Sequence, residues 1–586
     1  MKKRLLALIL ACIMIIGVVA ACGGNDSGTT PPAGGGDTGT GGGGGGGTDS
    51  GSGDSGTGGG GGATRDYVEP PANWDDPYSE TVSITAVAVQ GANWHFEGSD
   101  DMNNNPWTRL YKDRLNIEVS FDWTVTDEFE TRLNMAIAAQ DLPDTFHIPA
   151  SHDPRQFRDL QREGMLLDLT DAYANYASQR IRDFEKTDPD TIKGYMVDGR
   201  VFGLPRYYYG QIDQPWHLWV RKDWYEAEGS PEIKTVTDFE NLAKAFMDNH
   251  GAAYGIGVDE NMSWLIRGTG SMFGAYNGDF HNNSYFWRPD STGRIRPDLT
   301  FPEFQVALEH WVKWYSEGLI SPEFPSLGEW GRAQEDLNNG RFGIMTWWQW
   351  WGWYAGHTIV PLQGNDSYFI PLNIPTLDGS APANGQIFYP NSGATVATSG
   401  FQNPAALMKV ISLVDFMVAS PDAGLTDEDV RYYFDEGREH SMTPIFHLID
   451  PNTDLVQYRH VLHAIETGDT SDLFTPVMKF KYNDSRSWIN EQNPPGLGAY
   501  LQMGFDGSAY ARSQHLFDTG RIVRTSMWGP PPAEFADAGS TGDILMEEIM
   551  SIIMGNRPAS DWPSIVEQWY AGGGQIKEDA VNAQFG

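Results

Sequence analysis

Residues 82–89 read VSITAVAV, eight positions without a charge and rich in Val and Ile. Such a run predicts a strand. A helix is expected around Trp107–Leu115. The stretch 116–125, NIEVSFDWTV, alternates apolar and polar positions and predicts a second strand. Phe129, Leu133, Ala136 and Ile137 then share one helical face, and Thr145–Ile148 close the series as a short third strand. Strand, helix, strand, helix, strand at this spacing implies a parallel sheet covered by helices.

The same grammar recurs. Thr237-Asp238-Phe239-Glu240 reads as a capping box, followed by an apolar stripe of Phe239, Leu242, Ala243 and Phe246. Pro302 marks a helix start. Phe304, Leu308, Trp311, Val312 and Tyr315 line its face, and Gly318 marks its end. Asn403-Pro404 opens another helix, with Leu407, Val410, Ile411 and Val414 on one side. From about Asp422 the pattern gives helices and loops in no legible order. A chain of 586 residues exceeds what one core usually serves, so two lobes are expected.

The first residues have a different pattern. Lys2, Lys3 and Arg4 precede an apolar stretch too short for a comfortable membrane span, the layout of a secretory signal. It ends in Val19-Ala20-Ala21-Cys22-Gly23, which resembles the bacterial lipobox. In that motif the Cys sulfur takes a diacylglycerol and becomes the new N-terminus, and two acyl chains anchor firmly. From Gly23 to about Thr64 the chain is mostly Gly, Ser, Thr and Asp, a composition that cannot bury surface. It reads as a flexible tether. With Cys12 lost in the leader and Cys22 lipidated, the folded part holds no thiol, which excludes Cys nucleophiles and Cys-ligated zinc.

The formal net charge of −38 argues against nucleic acid as a partner. No P-loop, H-E-x-x-H, G-x-S-x-G or EF-hand loop occurs, and the scattered His residues form no metal motif. No catalytic residue, metal or cofactor is therefore expected. What remains is aromatic: 21 Trp, with WWQWWGWY at residues 347–354. Indole and phenol faces stack on the C–H-rich face of a pyranose, while neighbouring polar groups bind its hydroxyls. They also hold cations, so a choline-like ligand fits the same chemistry.

Several such clusters follow expected strands, where ligands of open α/β sheets bind. Gln90, Asn93 and Trp94 follow the first strand; Arg206, Tyr207 and Tyr208 follow Val201–Pro205; Trp347, Trp348, Trp350 and Trp351 follow Phe342–Thr346. Trp216, Trp264 and Asn391 complete the candidate ligand set. Trp311 and Trp314 lie inside a helix and are expected in the core. About half of the rings in WWQWWGWY are expected to be core and half to face a cleft.

In order along the chain, several stretches resemble the family 1 extracellular solute-binding lipoproteins of ABC importers. After the lipobox at Cys22 come Ala139-Gln140-Asp141-Leu142-Pro143-Asp144, Gly164–Thr170, Asp198–Pro205, Leu218–Trp224 and Trp314–Phe324. They span roughly residues 80 to 420. Gln140 departs from the small residue usual there, and the stretch after about residue 422 matches poorly.

The resemblance implies an α/β, two-lobed periplasmic-binding-protein-like fold of the class II type, with the ligand in the cleft between lobes. It implies residues 1–21 as signal and 22–65 as lipidated Cys and tether. Residues 66–205 plus roughly 365–421 would form lobe 1, and roughly 206–364 plus 422–586 lobe 2. It further implies capture of a carbohydrate, an oligosaccharide above all, and delivery to a membrane permease at the outer face of a Gram-positive membrane. A surface polysaccharide-degrading enzyme, a binding protein for a non-sugar solute and a sensor subunit stay open as alternatives.

Overall fold

The computed structural model describes residues 66–90, 96, 98–126, 128–149, 156–206, 215–259, 262–277, 285–327, 331–387, 393–426, 429, 450–535 and 542–586. The leader, Cys22, the Gly-rich stretch, Asn93, Trp94, Tyr207, Tyr208 and Asn391 lie outside these residues.

In lobe 1, β1 (Val82–Val89) and β2 (Ile117–Val125) pair in parallel, Val82 opposite Ile117. The crossover is α1 (Pro106–Leu115). Asn105 caps it: its side chain accepts from the Trp107 and Thr108 amides, and the Thr108 hydroxyl accepts from the Asn105 amide. β1 is buried on both faces, which explains its unbroken apolar run. After α2 (Phe129–Ala139), Gln140 adopts φ 54° as a left-handed cap, and β3 (Thr145–Pro149) follows.

The expected parallel sheet is only partly realised. β3 pairs antiparallel with residues 393–397, a strand from far along the chain. Between β1 and β3 the Asp144 carboxylate accepts from the Thr85 amide at 2.8 Å, so a side chain occupies the edge of β1. Lobe 1 ends its first pass at β4 (Leu204–Pro205).

Lobe 2 is built on β5 (His217–Arg221), antiparallel to β6 (Ile344–Trp347) on one side and to β7 (Phe369–Leu372) on the other. The helix at Val236–His250 starts two residues earlier than the sequence implies. Thr235, not Thr237, is its cap, with Asp238 as the reciprocal partner. Glu240 turns inward instead and accepts from Trp314 Nε1 at 2.8 Å. The helix Pro302–Ser316 forms as expected, with Trp311 and Trp314 fully buried and Gly318 at φ 73° just beyond.

β7 corrects the expected boundary near residue 365. Phe369, Ile374 and Ala383 pack in the core that holds Trp219 and Phe246, so this segment belongs to lobe 2. The chain then forms β8 (Gly385–Ile387) and returns to lobe 1 as β9 (Gly393–Ala397), between β3 and β4. The helix Pro404–Ala419 lays Leu407, Val410, Ile411 and Val414 on the β1–β2 core. Helices at 453–467, 476–491, 497–503 and 509–518 follow, then β10 (Ile522–Arg524), parallel to β8. Trp488, Leu501 and Met527 join the lobe 2 core, while the helix Thr453–Thr467 closes a satellite cluster with Met478 and Tyr510. Among the described residues no helix is long and apolar enough to cross a membrane.

Candidate binding cleft

The chain crosses between the lobes after β4, before β9 and again beyond Ala419, and the described residues that flank the first two crossings lie together. On the lobe 1 side the Arg206 amide donates to Gly393 O at 2.8 Å, joining the end of β4 to the start of β9. On the lobe 2 side a Cβ on Gly385 would lie 2.7 Å from Pro215 Cβ, so the chain on either side of β8 and β5 is in close contact. Trp216 sits at this point, immediately before β5.

β6 is antiparallel to β5, with Trp347 opposite His217. The carboxyl end of β6 is thereby brought beside Trp216. Its ring centroid lies 5.3 Å from that of Trp347 and 5.1 Å from that of Trp348. Trp264 meets Trp347 edge-on at 5.4 Å, and Trp350 meets Trp347 at 5.6 Å.

These rings differ in what they leave open. Trp216, Trp264, Trp347 and Trp351 are buried, Trp351 completely. Trp348, Trp350, Trp353 and Tyr354 are half-buried. Trp264 and Trp351 thus serve as packing behind the cluster in this state. Trp351 stacks on Tyr354 at 5.0 Å and meets Phe369 edge-on, which ties it to β7. Trp348 and Trp350 keep surface beside Trp216.

Several buried polar atoms of the cluster lack a partner among the described residues, Trp351 Nε1 in the core being one. Among the described residues the buried Trp216 indole N–H has no acceptor, and the buried Gln349 Oε1 has no donor. Gln349 lies between the two half-buried indoles, and sequence reading passed it over; its place inside the Trp run was the available signal. Trp216 also lines a small recess with His217, Asn373, Asn384 and Leu516. His217 is buried there with its pKa pushed down to about 3, by burial first and by Arg512 second. Its Nε2 lies 3.2 Å from Ser513 Oγ. An imidazole held neutral this firmly is a poor general base, so the Ser–His proximity is structural.

Gln90 is half-buried at the end of β1, where its amide donates to Val125 O at 2.8 Å. It therefore sits at the paired carboxyl ends of β1 and β2. Arg206 is half-buried at the start of the first passage. The turns that carry the resemblance are structural: Asp198 and Gly199 adopt φ 51° and 76° in a tight hairpin between 196–197 and 200–201.

The signature of the bacterial extracellular solute-binding proteins matches residues 103–422, more than half of the chain. The chain belongs to this family. Lipoprotein LipO of Bacillus subtilis (strain 168) is 22% identical over 358 residues, 58% of this chain and 66% of LipO. The polygalacturonan/rhamnogalacturonan-binding protein YtcQ of the same organism is 25% identical over 236 residues, 39% of this chain and 44% of YtcQ. The chain thus spans just under two thirds of one relative and under half of the other. An HMO-binding, ABC-transporter-associated solute-binding protein from Bifidobacterium longum infantis shares the fold. Its TM-score is 0.58 at 15% identity, over 87% of this chain and 98% of that one. The solute-binding fold explains the two separate cores and the paired passages between them.

Proposed function

We propose that this family member captures a carbohydrate between its lobes, without cleaving it, and delivers it to an ABC permease. It does so at the outer face of the cytoplasmic membrane, held by a lipid on Cys22. The observation that carries this reading is the group beside the paired passages. Trp348 and Trp350 present half-buried indoles, and Gln349 Oε1 and Trp216 Nε1–H lack protein partners. A sugar offers the complement: C–H faces for the rings, and hydroxyls that both donate and accept. Gln90, Asn93, Trp94, Arg206, Tyr207, Tyr208, Trp347 and Asn391 are proposed as further contacts, with Trp264 and Trp351 as backing. The likeness to YtcQ by name supports a polygalacturonan- or rhamnogalacturonan-type fragment.

The test is a thermal-shift and Trp-emission screen against neutral and uronate oligosaccharides, with the glycans recovered afterwards. The expected result is a raised melting point that Trp348→Ala abolishes, with the glycan intact. Binding that survives Trp348→Ala and Trp350→Ala would place the ligand elsewhere. Cleaved product would move the protein to the enzymes.

A further inference from the structure

Besides the passages of chain, a contact between side chains joins the lobes. Arg524 ends β10 and pairs in register with Ile387, the last residue of β8 before the chain returns to lobe 1. Its guanidinium donates to Asp188 Oδ1 at 2.8 Å. Asp188 belongs to lobe 1, just beyond Ile181 and Phe184 of that core, and its side chain is fully buried. The Thr191 hydroxyl also donates to this carboxylate.

Six residues beyond Asp188 and five beyond Arg524 the backbones touch. A Cβ on Gly194 would lie 2.5 Å from Gly529 Cα, and a Cβ on Gly529 would lie 2.6 Å from Gly194 Cα. Only two glycines permit this approach. Each side is braced within its own lobe. Arg158 donates to Gly194 O at 3.2 Å in lobe 1, and Trp528 packs edge-on against Phe585 at 5.1 Å in lobe 2.

We propose that the Asp188–Arg524 pair and the Gly194–Gly529 contact form a pin between the lobes, which fixes the pivot and the resting angle of cleft opening. The physical reasons are two. Pulling a guanidinium away from a fully buried carboxylate is unfavourable, so separation at this point is resisted while turning about a single hydrogen bond is not. A glycine–glycine backbone contact has no side chain to rearrange, so it tolerates turning and resists compression. Asp188 and Arg524 are positioning residues: they touch no ligand and act through the lobe angle.

The test needs no ligand. Met135 in lobe 1 and Leu362 in lobe 2 are exposed and suit spin labels on introduced cysteines, in the full chain with Cys12 and Cys22 changed to Ser. Arg524→Ala should broaden and shift the distance distribution between the labels, and Arg524→Lys should restore it. Gly529→Ala should displace the mean by wedging the lobes, with far-ultraviolet circular dichroism unchanged. A distribution that stays at the wild-type position in Arg524→Ala overturns the pin. So does a lowered melting point with an unmoved distribution, since that is the mark of a merely structural pair. If Arg524→Ala does not fold, Gly529→Ala decides alone, and an unmoved mean overturns the proposal. The proposal rests on the capture reading only for its effect on affinity. The distances are measured without ligand, so failure of the pin leaves capture intact and failure of capture leaves the pin intact.

Discussion

The two lobes solve the same burial problem with different side chains. Lobe 1 packs Val82, Ile84, Leu115, Ile117, Leu407, Val410 and Ile411, with Trp107 as its one fully buried indole among the described residues. Lobe 2 buries eleven of the 21 Trp in a single core. Several of those indole N–H groups are satisfied inside the protein. Trp219 donates to Trp347 O, Trp311 to Thr269 Oγ1, Trp314 to Glu240 and Trp562 to Leu299 O. A high Trp count in this chain therefore marks packing first. An unmet indole N–H alone does not mark a ligand site, since the core rings Trp287 and Trp351 share it; Trp216 differs in lying against the half-buried Trp348.

The most severe test of this contrast removes one core residue from each lobe. Trp351→Ala empties a fully buried site in lobe 2 and should destabilise it by about 3–5 kcal/mol. Leu407→Ala does the same in lobe 1 at about 2–5 kcal/mol. Urea titration read by Trp emission reports mainly lobe 2, and hydrogen exchange in Pro404–Ala419 reports lobe 1. Each substitution should lower one readout more than the other. Equal losses in both would mean that the two cores unfold as one unit.

A smaller effect separates the lobes by pH. Asp259 in lobe 2 is pushed up to about 6 by burial, against the opposing pull of its Ser263 and Trp264 hydrogen bonds. Asp415 in lobe 1 is pushed up to about 7 by burial, against Arg180. Both folded values lie above the ordinary 3.8. The stabilising contribution of each protonated form is thus full below that value. It is lost as pH rises through about 6 for Asp259 and about 7 for Asp415. Melting points measured across this window should fall as pH rises. Asp259→Asn should flatten the lobe 2 transition only, and a flattened lobe 1 transition would contradict the separation.

The regular elements were legible where each signal was local: an apolar run for β1, alternation for β2, and an apolar stripe ending in Gly318 for the lobe 2 helix at Pro302–Ser316. Three features were not, because distant residues decide them. Thr235 and Thr237 each stand three residues before an acid. Trp314 and Lys313, far along the chain, claim Glu240 and leave Asp238 for the cap. β7 holds Pro371, which discourages a strand reading; it is an edge strand, where a proline is tolerated. Trp351 followed a sound rule about strand ends and Trp264 its residue type, yet composition does not say which face of a ring the fold covers. The reverse omission was Gln349, a polar residue masked by its aromatic neighbours.

Within lobe 2 the contrast sharpens between buried and half-buried rings. Trp348→Ala removes a ring with only part of its surface covered, so its stability loss should stay near 1–2 kcal/mol, below that of Trp351→Ala. Its effect on capture should be the larger of the two. A Trp348→Ala protein that melts like Trp351→Ala would show that the cluster is all core, and the binding wall would then have to lie on lobe 1.

Phe480 is where the aromatic packing of lobe 2 reaches the surface, and its effect should be the smallest. It is half exposed on the helix Pro476–Glu491 and stacks on Trp353 at 5.7 Å with planes 5° apart. The same indole is held from other directions: Lys481 Nζ lies 4.4 Å over it, and its N–H donates to Gln502 Oε1 at 2.8 Å. With those contacts in place Trp353 stays put when Phe480 is lost. Phe480→Ala should therefore lower stability by about 1 kcal/mol or less, the value of one exposed stacked pair. A loss as large as that of Trp348→Ala would mean that Phe480 itself clamps the helix onto the Trp run. The satellite cluster and the Trp core would then be one structure, and the division between packing rings and open rings would move outward to this helix.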